Sequence, residues 1–140
     1  MKTLSILAMS LIYSQSLFSL ETPLLDRPQL KISSIQRLSD AEISQRLQTL
    51  PGWKREGKTI IYSHTFNNFI ESINFINCLV EPTEKLGHHP DLTVSYNKIK
   101  ISLTTHDQGG LTELDFQLAE TISQLINDFS ATPEKQCRSQ

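Results

Sequence analysis

Three of the chain's four histidines lie in two short stretches: His88 and His89 side by side before Pro90, and His106 seventeen positions after His89. An imidazole titrates at about 6.5, so near neutrality it can give up or accept a proton during a reaction. Carboxylates accompany these rings. Glu84 precedes His88 by one helical turn, Asp91 and Asp107 follow the two stretches, and Asp115 lies just past Gly109-Gly110. A carboxylate beside an imidazole orients the ring or favours its charged form. The glycines let backbone approach a flat ligand closely. The chemistry this set suits is general acid–base catalysis, with His88, His89 and His106 as candidate catalytic groups and Glu84, Asp91, Asp107 and Asp115 as candidate supporting or substrate-binding groups. Three histidines also raise zinc. Adjacent strand residues point to opposite faces, however, so His88 and His89 are poorly placed to share one ion, and no cysteine stands beside them. No metal site is assigned.

Each of these residues has a plainer role to set beside the chemical one. Thr112-x-x-Asp115 is by itself a helix capping box. Gly109-Gly110 serves as a turn, and Glu84 alone reads as a solvated helix residue. His64 alternates with apolar residues and reads as a core-edge or surface histidine.

The elements that must position the candidates are legible from residue 38 onward. Ser39 caps a helix running to about Leu50, with Glu42 completing a capping box and Ile43, Leu47 and Leu50 as its apolar stripe. Pro51-Gly52 ends it. A short strand over 53–56 turns at Gly57-Lys58 into a second over 59–66, where Ile60, Tyr62, His64 and Phe66 share a face. Asn67 or Asn68 caps a second helix with a stripe of Phe69, Ile73, Ile76 and Val80. Pro82 withholds the N–H that would bond to the carbonyl of residue 78, which predicts a kink there. Segments 91–96 and 98–105 alternate as a β-hairpin. A third helix starts near Thr112, with a stripe of Leu111, Leu114, Leu118, Ile122, Leu125 and Phe129. Two hairpins interleaved with three helices predict an α+β domain: an antiparallel sheet with helices on one face.

The hairpin is what gathers the histidines. A tight turn at Asn97-Lys98 sets Tyr96 opposite Ile99, Val94 opposite Ile101 and Leu92 opposite Leu103. The apolar pairs then share one face, with Thr93–Ser102 and Asp91–Thr104 on the other, because a one-residue slip would mix the faces. Extended, this pairing places His89 opposite His106 and His88 opposite Asp107, at Cβ separations of about 4.5–5.5 Å.

The run Glu84-Lys85-Leu86-Gly87-His88-His89-Pro90-Asp91, with Tyr96-Asn97-Lys98, Thr105-His106-Asp107, Gly110-Leu111 and Asp115 after it, closely resembles the pterin-4a-carbinolamine dehydratases. The resemblance spans residues 37–130. It implies a four-stranded antiparallel sheet with three helices on one face, in the order α-β-β-α-β-β-α, assembled as a homodimer or homotetramer. It implies dehydration of 4a-hydroxytetrahydrobiopterin to quinonoid dihydrobiopterin, which recycles the cofactor of aromatic amino acid hydroxylases and calls for neither a metal nor a cofactor. It makes His88, His89 and His106 the catalytic histidines, Glu84 the supporting acid and Asp115 the later aspartate. Two positions depart from the family: Leu92, where an aromatic residue is usual, and Pro82 in the helix leading to the site. The family also contains partner proteins, among them a dimerisation cofactor for a homeodomain transcription factor and assembly factors, so a binding protein on the same fold is the alternative.

The bulk properties bound the rest. One domain with tails fits 140 residues, and a net charge of −2 with mixed signs gives no basic patch for nucleic acid. Cys78 and Cys137 are the only cysteines, far apart and in no metal-ligand spacing, so Cys78 reads as a small core residue and no disulfide framework is expected. Residues 1–20 carry Lys2, an apolar run from Leu4 to Ile12 and no acid, a pattern resembling a secretory signal peptide and too short for a stable membrane span. That segment points to export, whereas the family resemblance points to the cytoplasm. Residues 21–36 read as a linker broken by Pro23 and Pro28, and residues 131–140 as a polar tail.

Overall fold

The computed structural model describes residues 35–131, so the signal-like stretch, the linker up to residue 34 and the tail from residue 132 lie outside the described residues. Helix α1 (Asp40–Leu47) opens on the expected capping box. The Ser39 hydroxyl oxygen accepts from the Glu42 amide, and the Glu42 carboxylate accepts from the Ser39 amide at 2.8 Å. The Ser39 hydroxyl donating to the Glu42 carboxylate at 2.6 Å, and next the Ser39 amide, hold that carboxyl below its ordinary pKa. Strands β1 (Lys54–Glu56) and β2 (Thr59–Thr65) follow, then α2 (Phe69–Leu86), β3 (Asp91–Ser95), β4 (Lys98–Leu103), one 3-10 turn at His106–Gln108, and α3 (Glu113–Ala131). At Gly52 the backbone is left-handed (φ 86°), and a Cβ there would lie 2.6 Å from the Tyr62 ring, so the entry to β1 requires glycine.

The four strands form one antiparallel sheet in the order β1-β2-β4-β3, and the α-β-β-α-β-β-α sequence is the expected one. Alternation decides which face the helices cover. Ile60, Ile99, Ile101 and Leu103 are almost wholly buried, whereas Lys98 and Lys100 on either side of Ile99 are exposed. Residues of all three helices join the same core: Ile43 of α1, Phe75 and Leu79 of α2, and Phe116, Leu118 and Ile122 of α3. Each such side chain contributes roughly 1.5–3 kcal/mol by leaving water.

The hairpin differs from expectation by two residues of register. Ser95 pairs with Lys98, Val94 with Ile99, Leu92 with Ile101 and Asp91 with Ser102. The turn is therefore Tyr96-Asn97, with Tyr96 at φ 53° and no positive φ at Asn97, the sign pattern of a type II′ hairpin turn. A hydrophobic pattern of period two fixes only the parity of a register, and parity is preserved; the turn chooses among registers of equal parity. Contacts outside the hairpin hold this one. The Phe66 amide donates to the Asn97 carbonyl (2.8 Å), the Asn97 side chain donates to the Phe66 carbonyl (2.6 Å), and the Ser72 hydroxyl donates to the Tyr96 carbonyl (3.1 Å). Continuing the observed ladder sets His88 against Thr105 and His89 against Thr104, so the expected His89–His106 and His88–Asp107 oppositions do not form.

Helix α2 differs in which face it buries. Asn68 caps it, and it runs without a break through Pro82 to Leu86. The core-facing positions are Ser72, Phe75, Cys78, Leu79 and Thr83, while Phe69 and Val80 of the expected stripe are about half exposed. Two apolar stripes share this helix, and the more polar one packs inward because its hydroxyls find local acceptors: Ser72 at the Phe69 carbonyl, Thr83 at the carbonyls of Leu79 and Val80. Cys78 is buried as expected, but it is disulfide-bonded. Spacing along the chain reveals only local cysteine motifs, whereas a disulfide needs proximity in space alone.

Candidate active site

Glycine at the end of α2 aims the paired histidines. Gly87 takes the left-handed conformation (φ 64°), its amide donates to the Glu84 carbonyl, and the His88 amide donates back to the Thr83 carbonyl, both at 3.2 Å. This is the two-bond Schellman arrangement, and it fixes the backbone from which His88 and His89 depart.

His88 turns inward. Its Nε2 lies 2.7 Å from Oδ1 of Asp115, with the two side chains 10% and 0% exposed. The other Asp115 oxygen, Oδ2, accepts from the Thr112 amide at 2.8 Å and from the Thr105 hydroxyl at 2.9 Å. Thr105 having spent its proton on Asp115, the Thr112 hydroxyl donates to Thr105 Oγ1, 2.8 Å away. A carboxylate receiving this many donors is the acceptor toward the ring as well, so His88 Nε2–H donates and Nδ1 is left over. Among the described residues Nδ1 has no hydrogen-bond partner, and it is not sealed from solvent. It is the nitrogen free to meet a ligand. Asp115 thus performs the expected capping of α3 with one oxygen and orients His88 with the other; being fully buried, it does not face a substrate.

The other two rings lie on the surface. His89 Nε2 is 2.8 Å from Glu84 Oε1, with side chains 60% and 70% exposed. His106 Nε2 is 3.7 Å from Asp91 Oδ2, with side chains 78% and 73% exposed. Asp107 is exposed and makes no side-chain hydrogen bond or ion pair among the described residues. Although the pairing that was to gather the histidines is absent, a closed circuit of contacts replaces it. His88 bonds Asp115, Asp115 bonds Thr105, Thr105 adjoins His106, His106 pairs with Asp91, and Asp91 leads through Pro90 and His89 back to His88. Three imidazoles, each with its own carboxylate, occupy one small region.

Thr105, which donates to Asp115 and meets the Thr112 hydroxyl, is the residue sequence reasoning left without a task. The signal available was Thr105 itself, a hydroxyl two residues beyond β4 and beside a candidate histidine. His64 stands apart from this group. It packs between the rings of Tyr62 (6.4 Å, stacked) and Phe66 (4.5 Å, edge-on), and burial holds its pKa below the ordinary imidazole value.

The chain can now be compared with known proteins. A family model described as Pterin 4 alpha carbinolamine dehydratase matches residues 36–125. The chain belongs to the pterin-4a-carbinolamine dehydratase family. Relatives named "Putative pterin-4-alpha-carbinolamine dehydratase" include one from Trichormus variabilis, 54% identical over 90 residues that cover 64% of this chain and 97% of the relative. Another, from Thermomicrobium roseum, is 44% identical over 91 residues, covering 65% and 98%. Among solved structures, a transcriptional coactivator/pterin dehydratase from Brucella melitensis is similar, with a TM-score of 0.62 and 32% identity over 64% of this chain and 98% of that one. In this dehydratase-family domain, His88 and His89 point to different carboxylates, and no group of three or more His, Cys, Asp or Glu side chains among the described residues could hold a metal ion. No helix among the described residues is long and apolar enough to cross a membrane.

Proposed function

We propose that the chain dehydrates 4a-hydroxytetrahydrobiopterin to quinonoid dihydrobiopterin. The observation that carries this reading is the circuit of three imidazole–carboxylate pairs, one buried and two open to solvent. The reaction breaks the C4a–O bond and the N5–H bond and forms a C4a–N5 double bond. The departing hydroxyl needs a proton and N5 must lose one, so one imidazolium and one neutral imidazole suffice, and the proton balance closes on water. General acid–base catalysis of this kind contributes about 10²–10⁴-fold. His88 and His106 are assigned the proton transfers and His89 substrate binding. Glu84 and Asp91 orient the two exposed rings, and Asp115 is a positioning residue for His88. Asp107, without a protein partner, is available to the ligand.

The test is turnover of chemically generated 4a-hydroxytetrahydropterin, followed for the wild type and for His88→Ala and His106→Ala separately. The expected result is catalysis by the wild type and a fall of about 10²-fold or more in each variant. A wild type no faster than buffer defeats the enzyme reading; near-normal turnover in both variants defeats the assignment of roles.

The second reading is a binding protein on this fold, and one observation favours giving it weight. Phe69, Ile70 and Val80 form an exposed apolar series along α2 that the dehydration chemistry does not use. Self-association as a homodimer or homotetramer is the assembly we assign to that series, and sedimentation of the purified protein reads it directly. The similar Brucella protein bears both descriptions, coactivator and dehydratase, so the two readings are not exclusive.

A further inference from the structure

The end of the sheet opposite the histidine circuit holds a cavity that the dehydration does not use. Thr65 pairs with Lys98 beside the hairpin turn, whereas Ile60 pairs with Leu103, which leads to Thr105. Beside Thr65, between the start of α2 and the end of α3, lies a space of about 330 Å³ whose lining includes His64, Phe66, Asn67, Glu71, Phe129 and Ser130. Ligand pockets run from about 300 to 1,000 Å³, so this one suits a single ring with a short side arm.

Three independent features of this cavity favour a cation. Above pH 7 burial keeps His64 neutral, so Glu71 is the one charge in the lining, and it makes no ion pair among the described residues. Its carboxylate is fixed by neutral donors: Oε2 accepts from the Asn67 amide (3.1 Å) and side chain (3.0 Å), and Oε1 from the side chains of Asn67 (3.2 Å) and Asn68 (3.3 Å). Capping of α2 explains where this carboxylate sits and supplies no cationic side chain to answer it. Next to it are the rings of Phe66 and Phe129, edge-on at 5.7 Å, and aromatic rings attract both cations and other rings. Finally, α3 ends at Ala131 with no basic residue in its last turn, which leaves the negative end of its dipole at Phe129 and Ser130 without a basic side chain of that turn. His64 adds a directional group. Neither of its ring nitrogens is hydrogen-bonded among the described residues, and a neutral imidazole offers one acceptor and one donor. An ammonium carries three N–H donors and can use a carboxylate and an imidazole alike.

We propose that this cavity is a second binding site, one that takes a small arylalkylammonium ion with its cationic head at Glu71 and its ring against Phe66 and Phe129. The site discriminates by charge as well as shape. A neutral ligand of the same size keeps the ring contacts and loses the attraction of Glu71 and of the α3 terminus, and an anionic one is repelled by both.

The experiment involves no turnover, so its outcome is separate from that of the dehydratase reading. Phenethylammonium is titrated above pH 7 into the isotopically labelled full chain, and backbone amide and histidine ring signals are followed by NMR. The expected result is a saturable shift confined to Thr65–Asn67, Glu71, Phe129, Ser130 and the His64 ring, with a dissociation constant of about 1 mM or tighter. Signals of His88, His89 and His106 stay in place. Phenethyl alcohol and phenylacetate bind the wild type at least about tenfold more weakly, and Glu71→Gln weakens phenethylammonium by a similar factor. Because Glu71→Gln also disturbs the start of α2, the paired variant is Ser130→Trp, an exposed rim position where the indole fills the cavity; it abolishes binding and leaves Tm unchanged. The comparison of charged and neutral probes on the wild type decides the matter even where Glu71→Gln fails to fold. No saturable shift in the millimolar range, equal affinity for phenethyl alcohol, shifts centred on the histidine circuit, or wild-type binding by Ser130→Trp each overturns the proposal.

Discussion

The histidine–carboxylate pairs at this site look alike on paper and sit in opposite environments. His88 and Asp115 are nearly or wholly buried, and the aspartate serves the ring, a helix N-terminus and a threonine hydroxyl at once. His89–Glu84 and His106–Asp91 stand in solvent, each carboxylate with one ring to serve. Removing one partner of a buried, hydrogen-bonded pair strands the other without water, whereas exposed partners are rehydrated at once. The same chemical pair is therefore structural framework at the first place and adjustable periphery at the others. The dehydration proposed above would draw on both kinds, one ring held in a single orientation and two less constrained.

That contrast can be broken by experiment. The largest effect is expected of Asp115→Ala, which leaves His88, Thr105 and the Thr112 amide without their shared acceptor; unfolding in urea should show a loss of about 3–5 kcal/mol. A loss no greater than that of Glu84→Ala would erase the distinction between inner and outer pairs. Thr105→Val keeps the shape of the side chain and deletes one donor to Asp115, so a loss of about 1–3 kcal/mol is expected in the same titration. Glu84→Gln should change stability by less than about 1 kcal/mol while altering KM, since the exposed pair adds little to folding. A large stability loss here would mean that the outer pair is also framework.

His64 supplies the smallest and most specific effect, because it is a histidine with rings for neighbours and no carboxylate. Its folded pKa lies below the unfolded value of about 6.5, so the unfolded chain binds the proton more readily. Its contribution to stability is complete above that value and declines as pH falls through it toward the folded pKa. Thermal unfolding measured from pH 7.5 to 5 should show a shallower acid loss in His64→Phe than in the wild type. Identical slopes would remove burial of His64 as the cause.

How much of this was legible in the sequence follows from what each signal encodes. Caps were readable because they are local: Ser39 with Glu42, Asn68, and Asp115 three residues after Thr112 all act as their spacing implies. The element order was readable because period-two and period-3.6 patterns alternate cleanly. The hairpin register was not, because Tyr96 carries a positive φ that a bulky residue rarely adopts, and the contacts holding it come from Phe66 and Ser72. The inward face of α2 was hidden because Ser72 and Thr83 satisfy their hydroxyls on their own helix and so tolerate burial. At the site, the residue types were visible and their partners were not. Nothing in a linear string says that His88 would take Asp115 and leave Asp107 alone.

The double duty of Asp115 bears on how this domain can change over generations. One of its oxygens starts a helix and the other holds a ring, so natural selection cannot trade the foldedness of the chain against the orientation of His88 at that position. A lineage that abandoned pterin chemistry altogether would still be under pressure to keep the aspartate, and the surviving aspartate would look like a relic of catalysis while serving only as a cornerstone. In such descendants the informative positions are Glu84 and Asp91, which nothing but the open rings obliges the chain to retain.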